Sequence, residues 1–220
     1  VQILYEDNHL LAVAKPPGLI TQGAAEGVPS VVEWARQSLK ERYNKPGNVY
    51  VGIVSRIDAL ASGVVLLART SRAAARLSEQ FRERRVEKTY WALVQGNPPT
   101  AGECVDWLLE DERQPLVSVV SRAAAGAKEA RLRFERRGGQ GAVAWLQVDL
   151  ETGRKHQIRA QFATRGWPIL GDRKYGSRQS FPRGIALHSR RLVVDHPTRH
   201  EPLELEAPPP PGWREWGVTG

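Results

Sequence analysis

The sequence predicts an α+β protein with a largely antiparallel β-sheet. Strand-like runs joined by turn residues outnumber possible βαβ units. Helical periodicity is confined to a few segments, and Val64 to Ala68 is an uninterrupted apolar run of the kind buried on both faces of a sheet. Ile3 to Tyr5 and Leu10 to Ala14 read as strands, punctuated by "KPPG" at Lys15 to Gly18. Ser30 opens a helix, with Glu33 at capping-box spacing and Val32, Ala35 and Leu39 at helical intervals. A strand near Val49 to Val54 leads to Arg56 and Asp58, and Ser71 to Arg84 has helical composition. Strands follow from "VEKTYWALVQG" through Val105 to Leu109, Leu116 to Val120, Ala130 to Phe134 and Val143 to Leu150. "HQIRAQFATRG" is then helical, with Gly166 as its stop. Late strands at Ala186 to Val194 and Leu203 to Glu206 precede a polyproline end.

Composition narrows the class. At 220 residues, 41% hydrophobic, the chain is long enough to bury a core, and it is read as one domain spanning residues 1–220. The single cysteine, Cys104, excludes an intrachain disulfide and a Cys-rich zinc site. No apolar run approaches a membrane span, and "VQILYEDNHL" lacks the pattern of a signal peptide, so the expected setting is cytoplasmic. Net charge is +8 and unevenly placed: Glu151 to His200 holds eleven Lys and Arg against three Asp and Glu. A neutral body with one basic segment suits a polyanion such as RNA.

Several chemistries lack their residues. No phosphate-binding loop ends in Gly-Lys-Ser/Thr, and "GGQGAV" from Gly138 precedes a strand, which makes it a turn. His196 and His200 stand four apart, but Pro197 denies them the helix that a metal pair of that spacing needs. No metal or other cofactor is expected. Asp58 alone admits two readings: an Asx turn beside Ser62 and Gly63, or an acid displayed at a strand end.

Four segments in fixed order sharpen the choice: "SRIDALASG", "EKTYWALVQG", "LETGRKHQIRAQFATRGWPILGDRKYG" and "LHSRRLVVDHP". Together they resemble the RluA-type pseudouridine synthases, from "ILYEDNHLLAVAKPPGL" to "EPLELEAPPP". The resemblance implies that family's catalytic fold, a mixed, largely antiparallel sheet flanked by helices and loops with a central active-site cleft. It implies a nucleophile at Asp58, a counter-charge at Arg159, a base platform at Tyr90 and a helper in base flipping at Arg56. Ile158 is expected beside the substrate, and Arg154, Lys155, Arg173, Lys174 and Arg178 are expected on phosphates. The chain has Ser55 where the family carries His, Ala61, Ser62 and Gly63 in place of a Thr-Ser-Gly turn, and Gln161 where a His follows the third motif.

The implied reaction breaks the C1′–N1 bond of uridine in rRNA or tRNA and rejoins the base through C5, so it needs an anion beside C1′ and no redox partner. Burial penalises such an anion, and a neighbouring Arg⁺ opposes the penalty. Two other readings stay open: an RNA-binding protein without catalysis on the same scaffold, and a hydrolase of the N-glycosidic bond. No S4-type RNA-binding appendage is recognisable, and a monomer is expected.

Overall fold

Residues 1–23, 28–111 and 116–218 are described by a computed structural model. They form two units, Val1–Val86 with Ser189–Pro210, and Glu87–His188 with Pro211–Gly220. In the first unit β1 (Gln2–Glu6) runs antiparallel to β2 (Leu10–Lys15), and β2 antiparallel to β4 (Ser62–Ala68). Beyond β4 lies β10 (Leu187–Asp195), which pairs antiparallel with β11 (Pro202–Glu206), while β3 (Gly52–Ile53) also pairs with β4.

Every residue of β4 is buried, as its composition predicts. Because side chains alternate across a strand, Val64, Leu66 and Ala68 join one core with Leu10, Ala12 and Leu192, whereas Val65 and Leu67 join another with Leu11 and Val13. Helix α2 (Ser71–Arg82) supplies Ala73 and Leu77 to the first core, and α1 (Val31–Arg42) supplies Val31, Ala35 and Leu39 to the second. Both helices start on a hydroxyl: Ser30 Oγ accepts from the Glu33 amide and Thr70 Oγ1 from the Ala73 amide, each at 3.2 Å. The Glu33 carboxylate takes Arg36 at 2.8 Å, so its side chain is turned along the helix.

The strand expected over Val49 to Val54 contracts to Gly52–Ile53. Ser55 explains the early end: its amide still donates to Leu66 O at 3.2 Å, but its hydroxyl, not its carbonyl, accepts from Leu66 N at 2.8 Å. A side chain thus completes the ladder and frees the following backbone to turn.

In the second unit the strand order is β5 (Glu87–Gln95), β9 (Val143–Leu150), β8 (Lys128–Gln140), β6 (Ala101–Glu110), β7 (Val117–Val120), each pair antiparallel. Strands β6 and β8 outrun the expected limits. Gly138 and Gly139, read as turn residues, remain in β8 because the register shifts between Arg136 and Gly138, where glycine tolerates the irregular backbone. Helix α3 (Gln157–Thr164) stops before Gly166, whose φ is +78°. The proline-rich end also differs from expectation: Pro211–Trp216 is a 3₁₀ turn that buries Trp213 against Phe181 and His188.

His196 is a structural residue. Its Nδ1 accepts from the amides of Thr198 and Arg199, so its Nε2–H donates to Asp7 Oδ2 at 2.7 Å. Burial pushes the Asp7 carboxyl up, but bonds from the His9 amide, His196, the Leu10 amide and Tyr5 overcome it and hold the group near 2, below the ordinary 3.8. A depressed carboxyl stabilises the fold fully above its unfolded value and loses that contribution as pH falls through the folded value. Chemical denaturation of the wild type should therefore show stability falling between about pH 4 and 2, and Asp7→Asn should flatten that segment of the curve.

Candidate active site

The first unit carries Asp58 on a loop held from several sides. Ala61 N donates to Asp58 O at 3.1 Å, closing the turn on which the acid sits. Gly18 N donates to Ala59 O at 2.8 Å, and Thr21 Oγ1 donates to Ile57 O at 3.1 Å, so both neighbours of Asp58 are bonded to the segment after β2. Lys15 completes the attachment. Its Nζ donates to Leu19 O at 2.7 Å, Pro16 O at 2.9 Å and Ala59 O at 3.0 Å. An ammonium has three donors, and here all are directed at carbonyls. The side chain is 1% exposed, and burial pulls its pKa down to about 8, against the opposing pull of the Asp58 charge. Asp58 is half-buried and Arg56 is exposed on the same loop.

Gly63, the second residue of β4 at the foot of this loop, has a φ of +116°. A Cβ there would lie 2.2 Å from Ser189 O, so the position excludes any side chain.

The second unit carries Tyr90 and Arg159. Tyr90 stands on β5 opposite Val148 and is half-buried, next to Trp91, whose ring meets Trp145 edge-on at 5.1 Å. Arg159 lies in α3 and is 3% exposed. Its Nε and Nη2 donate to the two oxygens of Asp172 at 2.7 and 2.9 Å, a bidentate fork that leaves the Nη1 edge outside this pair. The guanidinium also lies 4.9 Å from the ring centre of Tyr175. Tyr175 is anchored in turn: its hydroxyl donates to Val117 O, accepts from Val117 N, and meets His156 Nδ1 at 2.9 Å. Ion pair and ring together fix the plane of the guanidinium.

The other expected site residues are distributed unevenly. Ile158 is buried, as its four-residue spacing from Phe162 implies. Arg154 is exposed and donates to Glu129 O at 3.0 Å, and exposed Lys155 pairs with Glu110. Arg173 and Lys174 are exposed in the 3₁₀ turn Arg173–Tyr175, with Arg178 exposed just beyond it. The excess of base over acid in the segment 151–200 is partly met by carboxylates, since Arg159, Arg165, Arg190, Arg191 and Arg199 each have one. Arg173 and Arg178 have no carboxylate partner among the described residues.

Lys15, Asp172 and Tyr175 are missed by the sequence reading. A lysine closing an otherwise apolar strand, "LLAVAK", is a signal of buried charge that its position before Pro-Pro-Gly obscures. Nothing local in "GDRKYG" marks Asp172 as the partner of an arginine thirteen residues earlier.

Residues 9–164 match the family model described as RNA pseudouridylate synthase. The chain belongs to this family. The dual-specificity RNA pseudouridine synthase RluA of Escherichia coli is 34% identical over 211 residues, covering 94% of this chain and 92% of that protein. The ribosomal large subunit pseudouridine synthase C of Vibrio vulnificus is 32% identical, and synthase D of Xanthomonas campestris is 33% identical. They match 94% and 96% of this chain, which spans 65% and 66% of their own lengths. The solved structure of human RNA pseudouridylate synthase domain containing 4 shares the fold, with a TM-score of 0.81 over 100% of this chain and 95% of that one, at 23% identity.

Two departures from the pseudouridylate synthase pattern have visible uses. Ser55 supplies the hydroxyl that ends the β3–β4 ladder. Gln161 is fully buried and donates its amide to Asp106 Oδ2 at 2.7 Å, with Cys104 O and Ala130 O each at 3.2 Å.

Lys15→Ala should lower stability by about 3 kcal/mol, since it strands carbonyls and opens a void; urea denaturation measures it. Asp172→Ala leaves Arg159 buried without this carboxylate and should cost about 3–5 kcal/mol by the same measurement.

Proposed function

We propose that this chain isomerises uridine in RNA to pseudouridine, with Asp58 as the group that acts on C1′. The observation that carries the reading is the loop itself: an acid displayed on a turn whose adjoining carbonyls are tied down by Thr21 and by the buried Lys15 ammonium. Such anchoring holds a carboxylate in place before the substrate arrives, which lowers the reorganisation needed during reaction. Family membership and the matched motifs support the same assignment.

The steps balance without an oxidant or a reductant. The C1′–N1 pair of electrons leaves with the uracil ring, while a carboxylate oxygen of Asp58 either bonds to C1′ or stabilises its positive charge. The ring turns and C5 bonds to C1′, displacing the Asp58 oxygen where it has bonded there and returning it as carboxylate, and the C5 proton is lost as N1 gains one. Arg159 is assigned the counter-charge to Asp58, and the fork on Asp172 with the Tyr175 ring supports that role by fixing its plane. Tyr90 is assigned the ring face on which the extracted base rests, an interaction of the kind worth about 1–3 kcal/mol. Arg56, exposed on the Asp58 loop, is assigned to the space the flipped nucleotide vacates.

Arg173, Lys174 and Arg178, with Arg154 and Lys155, are assigned to RNA phosphates. The names of the relatives point to large-subunit ribosomal RNA as the first substrate to try.

Tritium release from C5-labelled uridine in transcribed large-subunit ribosomal RNA tests the activity. The wild type should release tritium without free uracil, and Asp58→Asn should lower the rate by roughly a thousandfold or more. Free uracil would identify a hydrolase, and binding without tritium release a non-catalytic protein. Replacing Arg173 and Arg178 by alanine should make the salt dependence of RNA binding shallower by about 0.7 for each phosphate that is no longer neutralised.

A further inference from the structure

A groove of about 820 Å³ lies in the first unit along α1, apart from the Asp58 side chain. Its apolar wall includes Trp34, Leu19 and Val49, each packed against the core on one side and only partly covered. Core contacts on α1 come from Val31, Val32, Ala35 and Leu39, so Trp34 sits on the flank of the helix, with Gln37 one turn on and Lys40 beyond it. A half-covered tryptophan beside a groove is a large flat surface that folding has not used up.

The charged side chains of the lining leave a net positive charge on Lys40. Glu33 is the acidic member among the described lining residues, and Arg36 holds it at 2.8 Å. Lys40 is exposed and has no carboxylate partner among the described residues. Gln37, whose amide nitrogen donates to the Glu41 carboxylate, and Asn48 complete the polar lining.

The groove is also tied to the Asp58 loop. Leu19, in its wall, gives its carbonyl to Lys15, whose same ammonium holds Ala59 O. Gly18 donates to Ala59 O as well. The groove wall and the Asp58 loop are thus joined by two hydrogen-bonded links.

We propose that this groove binds an unpaired nucleotide flanking the target uridine, its base against Trp34 and its phosphate on Lys40. The assignment rests on the RNA substrate argued above and adds a recognition subsite to it. Stacking on one aromatic ring and pairing with one phosphate are sequence-tolerant contacts, so the subsite strengthens binding and does not select the base.

Binding and turnover of transcribed large-subunit ribosomal RNA, labelled with tritium at C5 of uridine, are measured separately. Trp34→Ala should weaken binding about tenfold and raise KM, with kcat at saturating RNA unchanged, while Trp34→Phe keeps most of the affinity. Lys40→Ala, a surface change that leaves the core intact, should make the salt dependence shallower by about 0.7. Wild-type affinity and salt dependence in the Lys40 variant, or RNA binding by Trp34→Ala equal to wild type, would overturn the subsite. Should Trp34→Ala fail to fold, the Lys40 result decides alone. Binding by the wild type without tritium release rejects the isomerase reading and leaves the groove assignment to the variants, and no binding at all rejects both.

Discussion

A lysine ammonium removed from water is the constraint on which the Asp58 loop depends. Burying such a charge is unfavourable unless every proton finds an acceptor, and Lys15 finds three carbonyls from two separate stretches of chain. That requirement works in both directions: the lysine needs the carbonyls, so the segment after β2 and the turn after Asp58 are obliged to converge on it. The Asp58 charge in turn favours the protonated lysine, opposing the effect of burial.

Arg159 is placed by a different device. A carboxylate takes one edge of the guanidinium, a phenol ring covers its face, and that phenol is fastened to the backbone of edge strand β7. Breaking any of these contacts tilts a planar group whose usefulness lies in its direction. Much of the positive charge that gives the segment 151–200 its basic character is therefore engaged in holding the protein together. The remainder without a carboxylate partner among the described residues, Arg154, Arg173, Arg178 and Arg183, is smaller than the sequence count suggests.

Patterns that follow local periodicity were legible from the residues alone. Strand β9, the burial of β4 on both faces and the Ser30 cap of α1 lie where alternation, composition and spacing put them. The motifs marked Asp58, Arg159 and Tyr90 through resemblance, not through any local rule. What stayed hidden depends on contacts distant in sequence. The shortening of β3 is decided by one hydroxyl meeting Leu66, and the extension of β8 by an irregularity that two glycines permit. Lys15 next to Pro-Pro-Gly looks like the start of a turn, because nothing in its neighbours announces that Ala59, 44 residues away, will receive its proton. The Asp172 fork is invisible for the same reason.

The contact of Gly63 with Ser189 joins two pieces of the first unit that are separated in chain order by Glu87–His188 of the second. During synthesis the part of β4 not covered by β2, β3 and Ser55 waits for β10 until more than a hundred further residues have been made. The Asp58 loop is thus made well before β10 completes the sheet behind it, and a chain interrupted before β10 presents part of an apolar strand edge to any neighbour.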